Sequence, residues 1–79
     1  MRKTKQFQGK RRVYNTETAI ELGTRAFGQY GDPAGYEETL YQTKKGLYFV
    51  VGRGGDASPY AEGEDIRPLS EEDAQTWQA

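Results

Sequence analysis

The chain contains neither cysteine nor histidine. Those two absences remove the usual zinc sites, the Ser-His-Asp and Cys-His nucleophile arrangements, and the commonest general base. Without cysteine there is no disulfide framework, and a domain this small with no covalent staple fits a reducing, cytoplasmic compartment. Strongly apolar residues are also scarce: leucine, isoleucine, valine and phenylalanine account for only 12 of 79 positions. Such a fraction raises the question of disorder. A net charge of -1 and six tyrosines argue for folding, because tyrosine supplies large buried area behind a polar tip. No apolar run approaches the ~20 residues a membrane span needs. The N-terminus is charged from Arg2 onward with no apolar stretch behind it, so neither a signal peptide nor a span is expected.

A chain of 79 residues is expected to form one domain that buries about 60% of its unfolded surface. The small net charge conceals a polarity along it. Residues 1–12 carry Arg2, Lys3, Lys5, Lys10, Arg11 and Arg12 and no acid, a charge of +6. Residues 56–79 carry seven acids against Arg67, a charge of -6. Opposite ends of opposite sign either pair within the fold or face two different partners.

Met1 to Gly9 is polar and basic with one isolated Phe7, which reads as a flexible arm, with the domain spanning residues 10–79. Residues 10–14 form a short strand candidate. Asn15 or Thr16 as a cap, Glu17 in the first turn and Gly28 past the end predict an amphipathic helix over about 16–27. Its apolar stripe would be Ala19, Ile20, Leu22, Gly23, Ala26 and Phe27. Residues 28–35, with three glycines and Asp32-Pro33, form a connecting loop. Two β-rich runs, 36–43 and 47–52, flank Lys44-Lys45-Gly46, a hairpin signal in which Gly46 takes the left-handed position. Opposing Thr43 to Leu47 puts Thr39, Tyr41, Leu47, Phe49 and Val51 on one face and Tyr36, Glu38, Leu40, Tyr48 and Val50 on the other. A long loop to about Asp65 follows, then a short strand at Ile66 and Arg67. Ser70 caps a last helix with Glu71, Glu72 and Asp73 in its first turn and Ala74 and Trp77 on its inner face. The predicted fold is α+β in the order β-α-β-β-β-α, a three- or four-stranded, mainly antiparallel sheet with two helices.

Several groups carry possible chemistry. Glu37/Glu38, Glu64/Asp65 and Glu71/Glu72/Asp73 provide paired carboxylates, but at strand edges, in a loop and at a helix start, where solvated structural roles are ordinary. No enzyme activity, metal or cofactor is therefore expected. The Gly52-Arg-Gly-Gly55 run has the backbone freedom to cradle a phosphate, yet it lacks a P-loop ending and opens no helix. A turn leaving a strand is the simpler reading, with Arg53 as a partner contact. The basic segment offers Lys3, Lys5, Lys10, Arg11 and Arg12 to phosphates, with Phe7 and Tyr14 available to stack on bases. Glu62, Glu64 and Asp65 have no local helical role and are candidates for contacting a basic partner. Tyr36, Leu40, Tyr48 and Val50 give the second sheet face unusual apolar mass. That face is expected to stay partly exposed, for partner capture or weak self-association of a monomer.

Beyond these readings, the chain resembles a group of short proteins from phages and integrated elements of bacteria. The matching features are Tyr14-Asn-Thr-Glu-Thr-Ala19, Glu38-Thr-Leu-Tyr41, Thr43-Lys-Lys-Gly46, Tyr48-Phe49, Gly52-Arg-Gly-Gly55, Ser58-Pro-Tyr-Ala-Glu62 and Pro68-Leu-Ser-Glu-Glu-Asp-Ala74 with Trp77. They run from about Arg12 to Trp77 and leave the first eleven residues outside. The setting resembles that of anti-CRISPR inhibitors. It implies a non-enzymatic protein that occludes a host defence complex, a protein or ribonucleoprotein, in the bacterial cytoplasm. The alternative is a small nucleic-acid-binding accessory protein that uses its basic N-terminal segment.

Overall fold

A computed structural model describes residues 1–28 and 31–78. It is an α+β fold, mostly strand, with two antiparallel sheets and one helix. Strands β1 (Arg2–Phe7) and β2 (Lys10–Asn15) form a two-stranded sheet. Strands β3 (Ile20–Phe27), β4 (Tyr36–Gln42), β5 (Tyr48–Gly54) and β6 (Asp65–Leu69) form a four-stranded meander in that order, followed by helix α1 (Glu71–Gln78).

The segment expected to be a flexible arm is strand β1. It pairs with β2 along its whole length, Arg2 opposite Asn15 and Phe7 opposite Lys10. Gln8 and Gly9 close the hairpin at φ 53° and 79°, the doubly left-handed geometry that matches strand twist in a two-residue loop. The period-two signal here is carried by Lys3 and Lys5, whose stems cover surface while their ammonium groups reach a carboxylate. A polar composition therefore concealed a packed strand.

The helix expected over 16–27 does not form. Asn15 Oδ1 accepts from the Glu17 amide at 3.0 Å, so the capping residue makes an Asx turn instead. Ile20–Phe27 then pairs with β4 from Ile20 opposite Gln42 to Phe27 opposite Tyr36, with a bulge at Leu22. Gly23 in mid-helix would cost about 1 kcal/mol relative to alanine, and Ile20 and Thr24 are β-branched. The cross-strand partners decide the outcome: Phe27 stacks on Tyr36 at 4.6 Å. Ile20 and Leu22, assigned to a buried stripe by helical spacing, are 60% and 43% exposed. The connecting loop over 28–35 is turn structure where described, and Gln29 and Tyr30 lie outside the described residues.

The hairpin at 43–47 forms as read. Gly46 has φ 86°, the Thr43 amide donates to the Leu47 carbonyl at 2.8 Å, and Gln42 faces Tyr48. The last helix also forms as read, with Ser70 Oγ accepting from the Asp73 amide at 3.1 Å.

The meander is covered on both faces. Phe49 and Ile66 meet Tyr14 of β2, with Met1, Tyr41 and Val51 packed around them. On the other face, Leu40 and Val50 meet Ala74 of α1, flanked by Tyr48, Leu69 and Trp77. The sheet thus separates two small cores, one closed by the β1–β2 hairpin and one by the helix.

Candidate functional site

The face expected to remain exposed is largely closed. Leu40 and Val50 are 0% and 1% accessible beneath α1, so they belong to the core and offer nothing to a partner. Tyr36 is half-buried between Phe27 and Tyr60. Tyr48 is half-buried at the margin of that core, where it lines a groove. Helix α1 covers one end of the face, and the loop after β5 covers the other. Tyr60 lies flat over Gly52, where an added Cβ would stand 2.0 Å from the ring. From there its hydroxyl donates to Glu38 Oε2.

Glu38 is the pivot of this cover. It is 7% accessible, and its second oxygen accepts from Trp77 Nε1 at 3.0 Å. One carboxylate of β4 therefore fastens both the loop and the helix to the sheet. The Tyr60 hydroxyl is pushed upward first by burial, then by its bond to Glu38, with Arg67 acting in the opposite sense. With both oxygens held by donors, Glu38 acts as a fastening.

The remaining sequence candidates separate into two ends. Lys3 and Lys5 place their ammonium groups 3.1 and 2.9 Å from Asp65 Oδ1. Burial by itself would push the Asp65 carboxyl upward, but bonds from Lys5, Lys3 and the Ile66 amide outweigh it and hold the group at about 2. Part of the basic N-terminus and part of the acidic segment therefore satisfy each other. Glu62 and Glu64 stand exposed on the β5–β6 loop. Arg53 is exposed and lies 3.6 Å from Glu37. Its neighbouring glycines serve close packing: Gly54 lies against Ser58 and Tyr36, and Gly55 against Pro33. The Gly55 amide donates to the Gly35 carbonyl at 3.0 Å, so that donor of the supposed phosphate cradle is already engaged.

At the other end of β5 the arrangement is different. Arg11, Arg12 and Val13 of β2 form one wall of a cleft of about 520 Å³, and Lys44 and Lys45 of the β4–β5 turn form the other. Asn15, Thr18 and Thr43 supply polar groups between them, and no acid lines the cleft. A second groove of about 660 Å³ shares Arg12 and Leu47 with it and adds Lys10, Phe7 and Tyr48. Among the described residues, none of Lys10, Arg11, Arg12, Lys44 and Lys45 takes part in an ion pair. Five cations thus lie at this end, four of them lining a cleft that holds no carboxylate, a field that attracts anions. Glu71 and Glu72 line only the second groove, with Lys10 and Arg12.

Sequence reading found Lys10, Arg11 and Arg12 but missed Lys44 and Lys45, which read as turn residues. Only the folding of the β4–β5 turn beside β2 joins them. Tyr14, a candidate for stacking on bases, is instead 2% accessible and tilted against Phe49 at 5.4 Å. Among the described residues, no group of three or more carboxylates converges as a metal site, and no helix is long and apolar enough to cross a membrane.

No family model, curated protein or solved structure matches this chain.

Proposed function

We propose that this chain is a non-enzymatic binding protein that acts by stoichiometric occlusion, with the cationic cleft as its principal contact surface. Its partner is a phosphate-bearing one: nucleic acid, free or displayed by a host ribonucleoprotein. Within the setting implied by the anti-CRISPR resemblance, that partner is a defence complex of the bacterial host. The observation that carries this reading is the convergence of Lys10, Arg11, Arg12, Lys44 and Lys45 from two chain segments without an ion pair among the described residues. Cations that form no ion pair repel one another in the isolated domain. Phosphates relieve that repulsion and release counterions on binding. Five contacts to a single strand give a salt slope of about -3 to -4, so affinity falls on the order of 100-fold between ~50 and ~200 mM salt.

A second contact is supported by the opposite end of the sheet, where Asp56, Glu62 and Glu64 are exposed on the β5–β6 loop. Turn hydrogen bonds hold that loop, Ala61 amide to Ser58 carbonyl and Gly63 amide to Tyr60 carbonyl. Acids presented on an ordered backbone suit a basic protein surface. A domain with both ends engaged would bridge the nucleic acid and the protein of one complex.

The test is capture from the host. Tagged wild type is expected to recover a nucleoprotein and to lower host interference against a targeted plasmid. Lys44→Glu/Lys45→Glu, exposed turn substitutions that leave both cores intact, is expected to lose both effects. Recovery and interference unchanged by the double reversal would refute the cleft as the contact surface.

A further inference from the structure

The two grooves at the basic end adjoin at Arg12 and Leu47, and the side chains along the path they would offer differ in kind. Arg12 and Leu47 line both. From Lys44 and Lys45 the path crosses Arg11 and Arg12 to Lys10, then opens onto half-buried Phe7 and Tyr48. Glu71 and Glu72, in the first turn of α1, stand among the linings of the second groove only. The path therefore has a cationic entry and a section where aromatic rings and carboxylates face Lys10 and Arg12.

We propose that this path binds single-stranded nucleic acid, with phosphates on the lysines and arginines and unstacked bases against Tyr48 and Phe7. The inference rests on the cationic cleft proposed above and names its ligand class. A duplex keeps its bases stacked inside and meets a surface through phosphates and groove edges. It would leave both rings unused and bring further phosphates toward Glu71 and Glu72. A single strand is free to keep its backbone on the cations of β2 and turn its bases, not its phosphates, toward the helix side where Glu71 and Glu72 stand. Bases stack on aromatic rings whatever their sequence, so binding should be tolerant of sequence and sensitive to salt. The two carboxylates are also able to accept hydrogen bonds from exocyclic amino groups of the turned-out bases.

The distinguishing experiment uses fluorescence anisotropy with labelled oligo(dT), oligo(U) and a duplex, each of about 12 nucleotides or base pairs, a length one small domain spans. Both single strands are expected to bind at least about tenfold more tightly than the duplex. Tyr48→Leu keeps apolar packing against Leu69 and the helix but removes the ring, and is expected to weaken the single strands roughly tenfold without changing duplex binding. Tyr48→Phe is expected to retain wild-type affinity, since the π-face remains. Melting curves of both variants show whether the fold is kept. If Tyr48→Leu fails to fold, Phe7→Leu provides the same test from the other ring. Equal or tighter duplex binding, or indifference to loss of both rings, overturns the single-strand inference and leaves the cationic cleft standing. Failure of every probe, with wild type and variants alike, overturns both. An equal response to oligo(dT) and oligo(U) locates recognition in stacking and phosphates. A strong preference for oligo(U) would contradict that and require contacts to the 2′-hydroxyl.

Discussion

Replacing Gly52 by alanine is a one-carbon change with a large expected effect. A Cβ at position 52 would lie 2.0, 2.2 and 2.5 Å from Cζ, Cε2 and Cε1 of Tyr60. Carbon contacts are comfortable at about 3.5–4 Å, so the ring must lift by more than 1 Å or the strand must bend away. Overpacking of this kind costs about 1–3 kcal/mol. Lifting the ring also draws the hydroxyl from Glu38, whose buried carboxylate then keeps only the Trp77 donor. Losing a hydrogen bond to a buried charged group adds about 1.5–3 kcal/mol. The sum, roughly 2.5–6 kcal/mol, is a large part of the total stability expected for a domain of this size. At about 4–8 °C per kcal/mol, Gly52→Ala should lower Tm by on the order of 20 °C in a circular-dichroism melt. Gly52→Ala/Tyr60→Ala is the control. With the ring gone the three atoms nearest the added methyl are removed, so the double variant should melt close to Tyr60→Ala alone, a clear departure from additivity. A Tm drop of less than about 4 °C for Gly52→Ala, or strict additivity in the double variant, would sink the claim that Tyr60 rests on the strand backbone.

Two further predictions concern the N-terminal strand. Deleting residues 1–8 removes β1 with its ladder to β2 and both lysine contacts to Asp65, and should lower Tm by on the order of 10 °C. An unchanged melt would restore the reading of this segment as an arm. The Asp65 carboxyl lies at about 2 when folded and near 4 when unfolded. Its contribution is therefore complete above about pH 4 and lost as pH falls toward 2. Asp65→Asn should flatten the dependence of Tm on pH in that window, and a variant that keeps the wild-type slope there would show that other carboxylates dominate it.

Sequence reading succeeded where a local rule decided the outcome. Gly46 set the β4–β5 turn and with it the face of every residue from Tyr36 to Val50, and Ser70 with its following acids set α1. It failed where two periods competed in an aliphatic-poor segment. Residues 16–27 satisfy a helical wheel only by counting Ala19 and Gly23 as apolar, and pairing with β4 outweighed that weak stripe. It failed at β1 because alternation was written in lysine stems. Tyr36, Leu40, Tyr48 and Val50 share the expected face, but Leu40 and Val50 are fully buried where partial exposure was expected, and Tyr36 and Tyr48 are half-buried. Leu40 and Val50 are covered by α1 and Tyr36 by Tyr60, which the bare backbone of Gly52 admits, and these long-range fits are displayed by no window of sequence. The cleft was half legible for a similar reason: Lys10 to Arg12 form a run, whereas Lys44 and Lys45 join them only through topology.

Covering the meander from both ends of the chain has a consequence for the order in which the protein closes during synthesis. Each neighbour in the β3–β4–β5–β6 sheet is also a neighbour in sequence, so the ladders form through local connections at modest entropic cost. The β1–β2 hairpin leaves the ribosome before the strands it must cover and waits for them. Helix α1 leaves after the strands, so the face of Leu40 and Val50 stays open until Ala74 and Trp77 arrive. In that interval the nascent chain presents a nearly complete sheet with one oily side and the carboxylate of Glu38 still hydrated. The hazardous moment for aggregation therefore falls at the docking of eight residues, after the sheet has been built.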